Sequence, residues 1–333
     1  MEQQQSINSE TQDVGTLLPA VIKSIEVEAP VNRFISANTI QGNLHDINNV
    51  HIIPSYQRDY KTLIGHGEFV DAALVAVSRA YPGERISRPD IRLSHPVSGR
   101  IPEAKDKHVK DLLDHERTLL YDKMAMLIEV PGVHTYVGGK RLNLTIGGVR
   151  AYSSENLMSR SYEQTFKVAC GFKVLVCSNM TISSDHFVKE LRAKTLDELY
   201  HGILNLIELF DAVRFARQLN ELPNYELSEQ QVANFIGRAR MYRHLPPGKR
   251  SHIPQLMFGD SLINIVVSDY YSDNSFCSNP DGSINLWNLY NLLTGANRNS
   301  YIDSYLDRAA NAFSIASHLK DALDGRTTSW YLS

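Results

Sequence analysis

Thirty consecutive residues, Gln230 to Gly259, contain no Asp or Glu, and five cations punctuate them: Arg238, Arg240, Arg243, Lys249 and Arg250. His244 and His252 lie among them, and Tyr242 and Phe258 supply flat rings. Cations that neutralise phosphates, interleaved with rings that stack on bases, are the chemistry of single-stranded nucleic-acid binding. A bland reading stands beside it: basic side chains near a helix C-terminus complement the helix dipole. The same stretch, VANFIGRARMYRHL, spaces Ala233 and Gly237 as a helix-turn-helix does. Arg238 and Arg243 then fall where the second helix should pack inward, and Pro246 falls where it should continue, so that motif is the weaker reading.

A second polar grouping surrounds a bend in RLSHPVSGRIPEAK. His95, Arg100 and Glu103 gather there, and Arg150 and Asn156 follow a strand further on. Together they form a possible polar pocket at the end of a sheet, with His and Glu able to act as base and acid. Charged groups beside Gly and Pro are also ordinary turn residues. No nucleophile with a partnered base is recognisable, so no residue is assigned a catalytic role. No cofactor is implied. No metal ligands stand at zinc spacing, and CSNPDGSINLWN lacks the acids that a calcium loop needs at its first and last positions.

The stretch VHTYVGGKRLNLTIGGVRAYSSENL tests for phosphate chemistry. A phosphate loop requires GxxxxGK followed by Ser or Thr. Here His134 stands where the first Gly belongs, and Arg141 follows Lys140. Leu142, Leu144 and Ile146 alternate with Arg141, Asn143 and Thr145, the period of a strand with one buried face. Gly138-Gly139 is therefore expected to turn a hairpin between strands near 133–137 and 141–147, without ATP or GTP binding.

The elements that must hold these groups belong to a chain of 333 residues, enough for one large domain or two ordinary ones. With 43% hydrophobic and 21% charged residues it has the composition of a globular protein, and at −3 it has no global attraction to nucleic acid or anionic lipid. No apolar run is long enough for a membrane span, and the polar start MEQQQSINSETQDVG lacks a signal-peptide core. Cys170, Cys177 and Cys277 form no CxxC pair. Their odd number without an export signal points to free thiols in the cytoplasm, and the apolar runs around Cys170 and Cys177 to burial.

Four regions follow from the pattern. Residues 1–32 form a polar leader with little apolar surface to bury, although LLPAVIKSIEV has the character of an edge strand or docking segment. Residues 33–184 mix helix and strand. HIIPSY is a short apolar run, HGEFVDAALVAVSRAY is a helix, DIRLSHPV a strand, DKHVKDLLDHERTLLYDK a charged amphipathic helix, and MAMLIEV a strand. Gly171 is the expected bend in TFKVACGFKVLVCSNMTIS. Residues 185–325 are helical. Thr195 with Glu198, and Ser228 with Gln231, form capping boxes, and Leu199, Ile203, Leu206, Phe210 and Val213 make one apolar stripe. INLWNLYNLLT and a final helix capped by Ser300 and ended by Gly325 follow, and 326–333 is a tail. The fold class is α+β, with an antiparallel, hairpin-rich sheet in the first half and a mainly helical second half packed against it.

The motifs GRIPEAK, LNLTIGGVRAYSSENL, INLWNLYNLLT and LTGANRNSYIDSYLDRAANAF occur in order over roughly residues 50–315. With them the chain resembles proteins of unknown function encoded on conjugative transposons and related mobile elements of Bacteroidetes. That group is in turn similar to phage- and plasmid-borne proteins. The resemblance implies a mobile-element setting in a bacterial cytoplasm and transfers no catalytic residue. The leading expectation is an accessory protein that binds DNA, single strands included, without catalysis. The alternative is a protein-interaction factor that counters a host defence or regulates the element, with a host or element-encoded protein as partner. A third is an enzyme using the His95, Arg100 and Glu103 region.

Overall fold

The computed structural model describes residues 33–50, 63–154, 163–182 and 188–333. The leader 1–32, HIIPSY and Asn156 lie outside the described residues.

The fold is α+β. Its centre is a seven-stranded sheet of order β1-β2-β5-β6-β7-β8, with β9 also paired to β7. The strands are β1 (Ile40–Gly42), β2 (Asp90–Leu93), β5 (Lys123–Val137), β6 (Lys140–Ala151), β7 (Gln164–Val174), β8 (Met180–Ile182) and β9 (Val188–Ala193). All pairings are antiparallel. The expected hairpin is its spine. Val137 pairs with Lys140, and Gly138 and Gly139 adopt φ of 54° and 73°, the left-handed pair a two-residue turn requires. A bulge between Val130 and His134 absorbs Pro131, which cannot donate to the ladder.

Both faces of the sheet are covered. Leu142, Leu144, Ile146, Phe166, Val168, Cys170 and Phe172 face α1 (His66–Ala80) and α2 (Leu196–Leu209) in the larger core. Ala125, Leu127, Val149, Ala169, Met180 and Ile182 face the first half of α8 (Ile302–Leu323) in the smaller core. Ion pairs Lys123–Asp303 (3.1 Å) and Lys167–Asp307 (2.6 Å) flank that apolar contact. The second half of α8, from Ala312 to Leu319, enters the larger core. Strand β9 lies past Ser184, so the sheet takes its last strand from beyond the sheet region read in the sequence.

Several local expectations are corrected. DKHVKDLLDHERTLLYDK is not a helix: short 3-10 turns at Val109–Asp111 and Asp114–Glu116 lead into β4 (Arg117–Leu120), which pairs with β3 (Val97–Arg100). Val109 and Leu113 are exposed, so a helix here would have no core on which to lay its apolar stripe. Glu116 instead accepts from the Leu113 amide and pairs with Lys107. The helix after Thr195 breaks at Phe210, because Asp211 caps a separate helix α3 (Ala212–Glu221) by accepting from the Arg214 amide at 2.8 Å. Val213, expected on the apolar stripe, is 71% exposed. Strand β7 runs straight through Gly171, which pairs with Thr145 on one side and Ile182 on the other. Ser300 does not cap α8. Tyr301 holds that position, and the Ser300 hydroxyl donates to Asn297 Oδ1.

Candidate functional site

The basic segment begins on α4 (Glu229–Tyr242). Ser228 and Gln231 form the expected capping box: the Gln231 amide donates to Ser228 Oγ, and the Ser228 amide to Gln231 Oε1 at 2.9 Å. Val232, Phe235, Ala239 and Tyr242 recur at helical spacing and are buried. That register turns Arg240 outward and exposes Arg243 just past the end. The four-residue helix α5 (Pro247–Arg250) follows, with Pro247 at its first position, where a missing N–H costs nothing. The return loop is clipped to α8. Asn311 donates to the Gln255 carbonyl at 2.8 Å and accepts from the Met257 amide, while Arg308 donates to the Met257 carbonyl at 3.0 Å.

The five cations do not share one fate. Arg238 is committed to the chain's end: its guanidinium lies 4.9 Å from the Trp330 ring centroid and donates to the Ser333 carbonyl. Arg240 donates to Asn264 Oδ1 on α6 (Asp260–Ser272), a helix the sequence reading did not anticipate. Arg243 reaches toward Gly259, the residue that caps α6. Lys249 is exposed and Arg250 half-buried on α5. Among the described residues none of the five forms an ion pair, whereas other Lys and Arg residues do, such as Lys107, Lys173 and Lys320. Arg308 adds a further cation on this side. Burial lowers its pKa first, Asp303 opposes that, and Arg243 lowers it further, which places the two guanidinia within electrostatic range.

The two rings do not serve as a stacking platform. Tyr242 is 6% exposed and Phe258 1%. Tyr242 packs against Tyr331, which is itself fully buried and donates its hydroxyl to the Pro254 carbonyl at 2.6 Å. Segment 326–333 therefore seals the underside of the basic segment.

The residues of the possible polar pocket do not converge. His95 and Glu103 are exposed. Arg100 donates to the Lys107 carbonyl and lines a concave surface of about 420 Å³ with Val97, Val109, Leu112 and Leu120. Arg150 is 1% exposed in the main core, its guanidinium between the rings of Tyr152 (4.4 Å) and Phe166 (4.5 Å), donating to Gln164 Oε1 at 2.9 Å. Strand alternation in LNLTIGGVR already hinted at this, since it puts Arg150 on the same face as Leu142, Leu144 and Ile146. Asn264, Arg308 and Trp330, which position or extend the basic segment, lie 24 to 92 residues from Arg238 or Arg240 and leave no local signal. Among the described residues no group of three or more His, Cys, Asp or Glu is placed to hold a metal ion, and no helix is long and apolar enough to cross a membrane.

The model of a family described as "Domain of unknown function, B. Theta Gene description (DUF3871)" matches residues 18–332. The chain belongs to this family. The DUF3871 match begins inside the polar leader and ends beyond Tyr331, so it is wider at both ends than the 50–315 resemblance carried by the motifs. Neither the curated proteins nor the solved structures give a match to this DUF3871 chain.

Proposed function

We propose that this DUF3871 protein is a non-enzymatic accessory factor of a mobile genetic element that binds DNA through the end of α4 and through α5. The observation that supports it is a run of surface cations without carboxylate partners: Arg240, Arg243, Lys249 and Arg250, with His244 and His252 exposed beside them. A cation already neutralised by a carboxylate gains little from a phosphate, whereas an unneutralised one releases a counterion when it binds. With Tyr242 and Phe258 buried, the interface acts on the backbone. Preference for single strands then depends on strand flexibility rather than on ring stacking. The setting is the bacterial cytoplasm, and no cofactor enters the reading.

With three or four phosphate contacts, binding to a single-stranded oligonucleotide should weaken with a log–log salt slope of about −2 to −3. Absence of any salt-dependent binding to single- or double-stranded oligonucleotides ends this reading. The second reading is a protein-interaction factor directed at a host or element protein. It is favoured by the β3–β4 hairpin and its 3-10 turns, where Val97, Val109 and Leu113 are 57%, 60% and 54% exposed. Purification with and without nuclease separates the two: co-purifying nucleic acid supports the first, a stoichiometric protein the second.

A further inference from the structure

The α4–α5 surface offers cations but buries Tyr242 and Phe258. Exposed rings stand elsewhere, at the hairpin end of the central sheet. Val137 and Lys140 close the two-residue turn as a hydrogen-bonded pair. Tyr136 and Arg141 are therefore the next, non-hydrogen-bonded pair, the kind that brings side chains closest. The Arg141 carbonyl accepts from the Leu175 amide at 3.2 Å on its other side. Val137, Leu142 and Val174 face the larger core. Alternation sends Tyr136, Arg141 and Leu175 out through the opposite face as one cross-strand row, with His134, Asn143 and Lys173 as the next.

On that face α8 covers the other end, at Ala125, Leu127, Val149 and Ala169. At the hairpin end Tyr136 is 56% exposed, and His134, Leu175 and Val176 are exposed beside it. The rings of His134 and Tyr136 stand edge to face, with centroids 5.8 Å apart. His134 Nδ1 lies 3.2 Å from the Gly132 carbonyl oxygen, which orients its ring. The turn is anchored as well. Gly138 packs on Trp287 of α7 (Leu286–Asn297), and the Lys140 ammonium lies 5.9 Å from the centre of the Phe276 ring. The rings thus ride on a fixed hairpin and lose little freedom when a ligand covers them.

Charge sorts the occupant. Neither row contains a carboxylate. Glu129 stands in the row beyond, opposite Thr145, and is engaged by Lys173 at 2.7 Å and by Asn143 at 3.1 Å. Glu84 lies against Gly132 in the bulge. Arg141 Nη2 donates to the Pro131 carbonyl at 2.9 Å. Its Nη1 has no hydrogen-bond partner among the described residues and is open to solvent.

We infer that this end of the sheet is a stacking platform for single-stranded DNA. One base lies on the Tyr136 ring and the next against His134, and Arg141 Nη1 faces the phosphate between them. Every base has a π-face, so such a platform tolerates any sequence. Duplex DNA keeps its base faces stacked inside, and only an unpaired strand can use the rings. This assignment rests on the reading of the chain as a DNA-binding factor and adds the group recognised, an unpaired base.

Fluorescence anisotropy of the full chain with labelled oligothymidine, an abasic strand of the same length and a duplex tests the platform. Tyr136→Ala, at an exposed position, should unfold cooperatively and weaken oligothymidine binding by about fivefold to 150-fold, the range for one stacked base. It should leave the salt slope unchanged, since stacking releases no counterion, and leave abasic and duplex binding unchanged. His134→Ala should act in the same direction, and Tyr136→Phe, which keeps the ring, should bind as the wild type. Wild-type affinity of Tyr136→Ala for oligothymidine overturns the platform and leaves the α4–α5 surface standing. So does an equal loss on the abasic strand, or an equal loss in Tyr136→Phe. Loss in Tyr136→Ala with wild-type binding by the Arg243→Ala, Arg250→Ala double variant keeps the platform and removes the α4–α5 surface. Absence of binding to every oligonucleotide overturns both.

Discussion

Arg238 lies over the ring of Trp330, 4.9 Å from its centroid, and donates to the backbone carbonyl of Ser333 at 3.1 Å. Arg238 is thus a fastener between α4 and segment 326–333, which leaves Arg240, Arg243, Lys249 and Arg250 for this surface.

Arg238→Ala should lower stability by about 1 kcal/mol, the size of a partly exposed cation–π contact, and leave the salt slope of oligonucleotide binding unchanged. Trp330→Ala should cost about 2 kcal/mol through lost packing and free Arg238, steepening the slope by about 0.7. Chemical denaturation together with binding at several salt concentrations checks both halves of this statement.

Arg243→Ala combined with Arg250→Ala should flatten the slope by about 1 to 1.5 with little loss of stability, since Arg243 is exposed and, among the described residues, neither side chain holds an ion pair. A charge-matched control pair must lie away from this surface and carry no packing role, which excludes Arg92. It is 1% exposed and donates to Thr39 and Gln41, so its removal would empty a buried site and break the bonds that tie its strand, β2, to β1. Arg192 and Arg326, 65% and 64% exposed and paired with Glu190 and Asp321, are suitable. Equal flattening by this control pair would show that the effect is one of net charge alone.

Asp71, on α1, has its pKa raised from 3.8 to about 6 by burial and then by Glu68. The folded state therefore holds this proton more tightly than the unfolded chain. Its contribution is fully present below pH 3.8 and is lost as pH rises through about 6, at most about 3 kcal/mol. Asp71→Asn should remove that slope from a plot of unfolding free energy against pH between 4 and 7. An unchanged slope in the variant would assign it to other groups.

Gly171→Ala should destabilise by about 3 kcal/mol or more, or prevent folding. A Cβ there would collide with the backbone carbonyl oxygen of Thr181 in the neighbouring strand, which cannot swing aside as a side chain can. Gly139→Ala makes an informative partner, because its surroundings are empty and only its φ of 73° is strained. It should cost about 1–2 kcal/mol. Similar melting temperatures for the two variants would contradict the difference.

Alternation and capping carried most of the fold. The hairpin at Gly138-Gly139, the helix from His66 and the box at Ser228 are local patterns, and each lies where spacing put it. What failed was non-local. Val109 and Leu113 have helical spacing, but whether a core awaits them depends on β3, which pairs with this segment. Gly171 carries the signature of a bend and is instead the point where another strand's carbonyl passes close. Tyr242 and Phe258 illustrate the same limit at the candidate interface. Composition counts rings and cations together, and only packing against Tyr331 and α8 separates the buried rings from the exposed charges.

Helix α8 closes the smaller core with its first half and joins the larger core with its second. In chain order it comes last among the helices, whereas the strands of the smaller core are complete by Ile182. During synthesis at about 5–20 residues per second, the sheet face formed by Ala125, Leu127, Val149 and Ala169 waits roughly 6–25 s for its cover. For that interval the nascent chain presents an apolar, antiparallel surface to its surroundings. The smaller core therefore closes only through contacts of long sequence separation, the class of contact that slows folding.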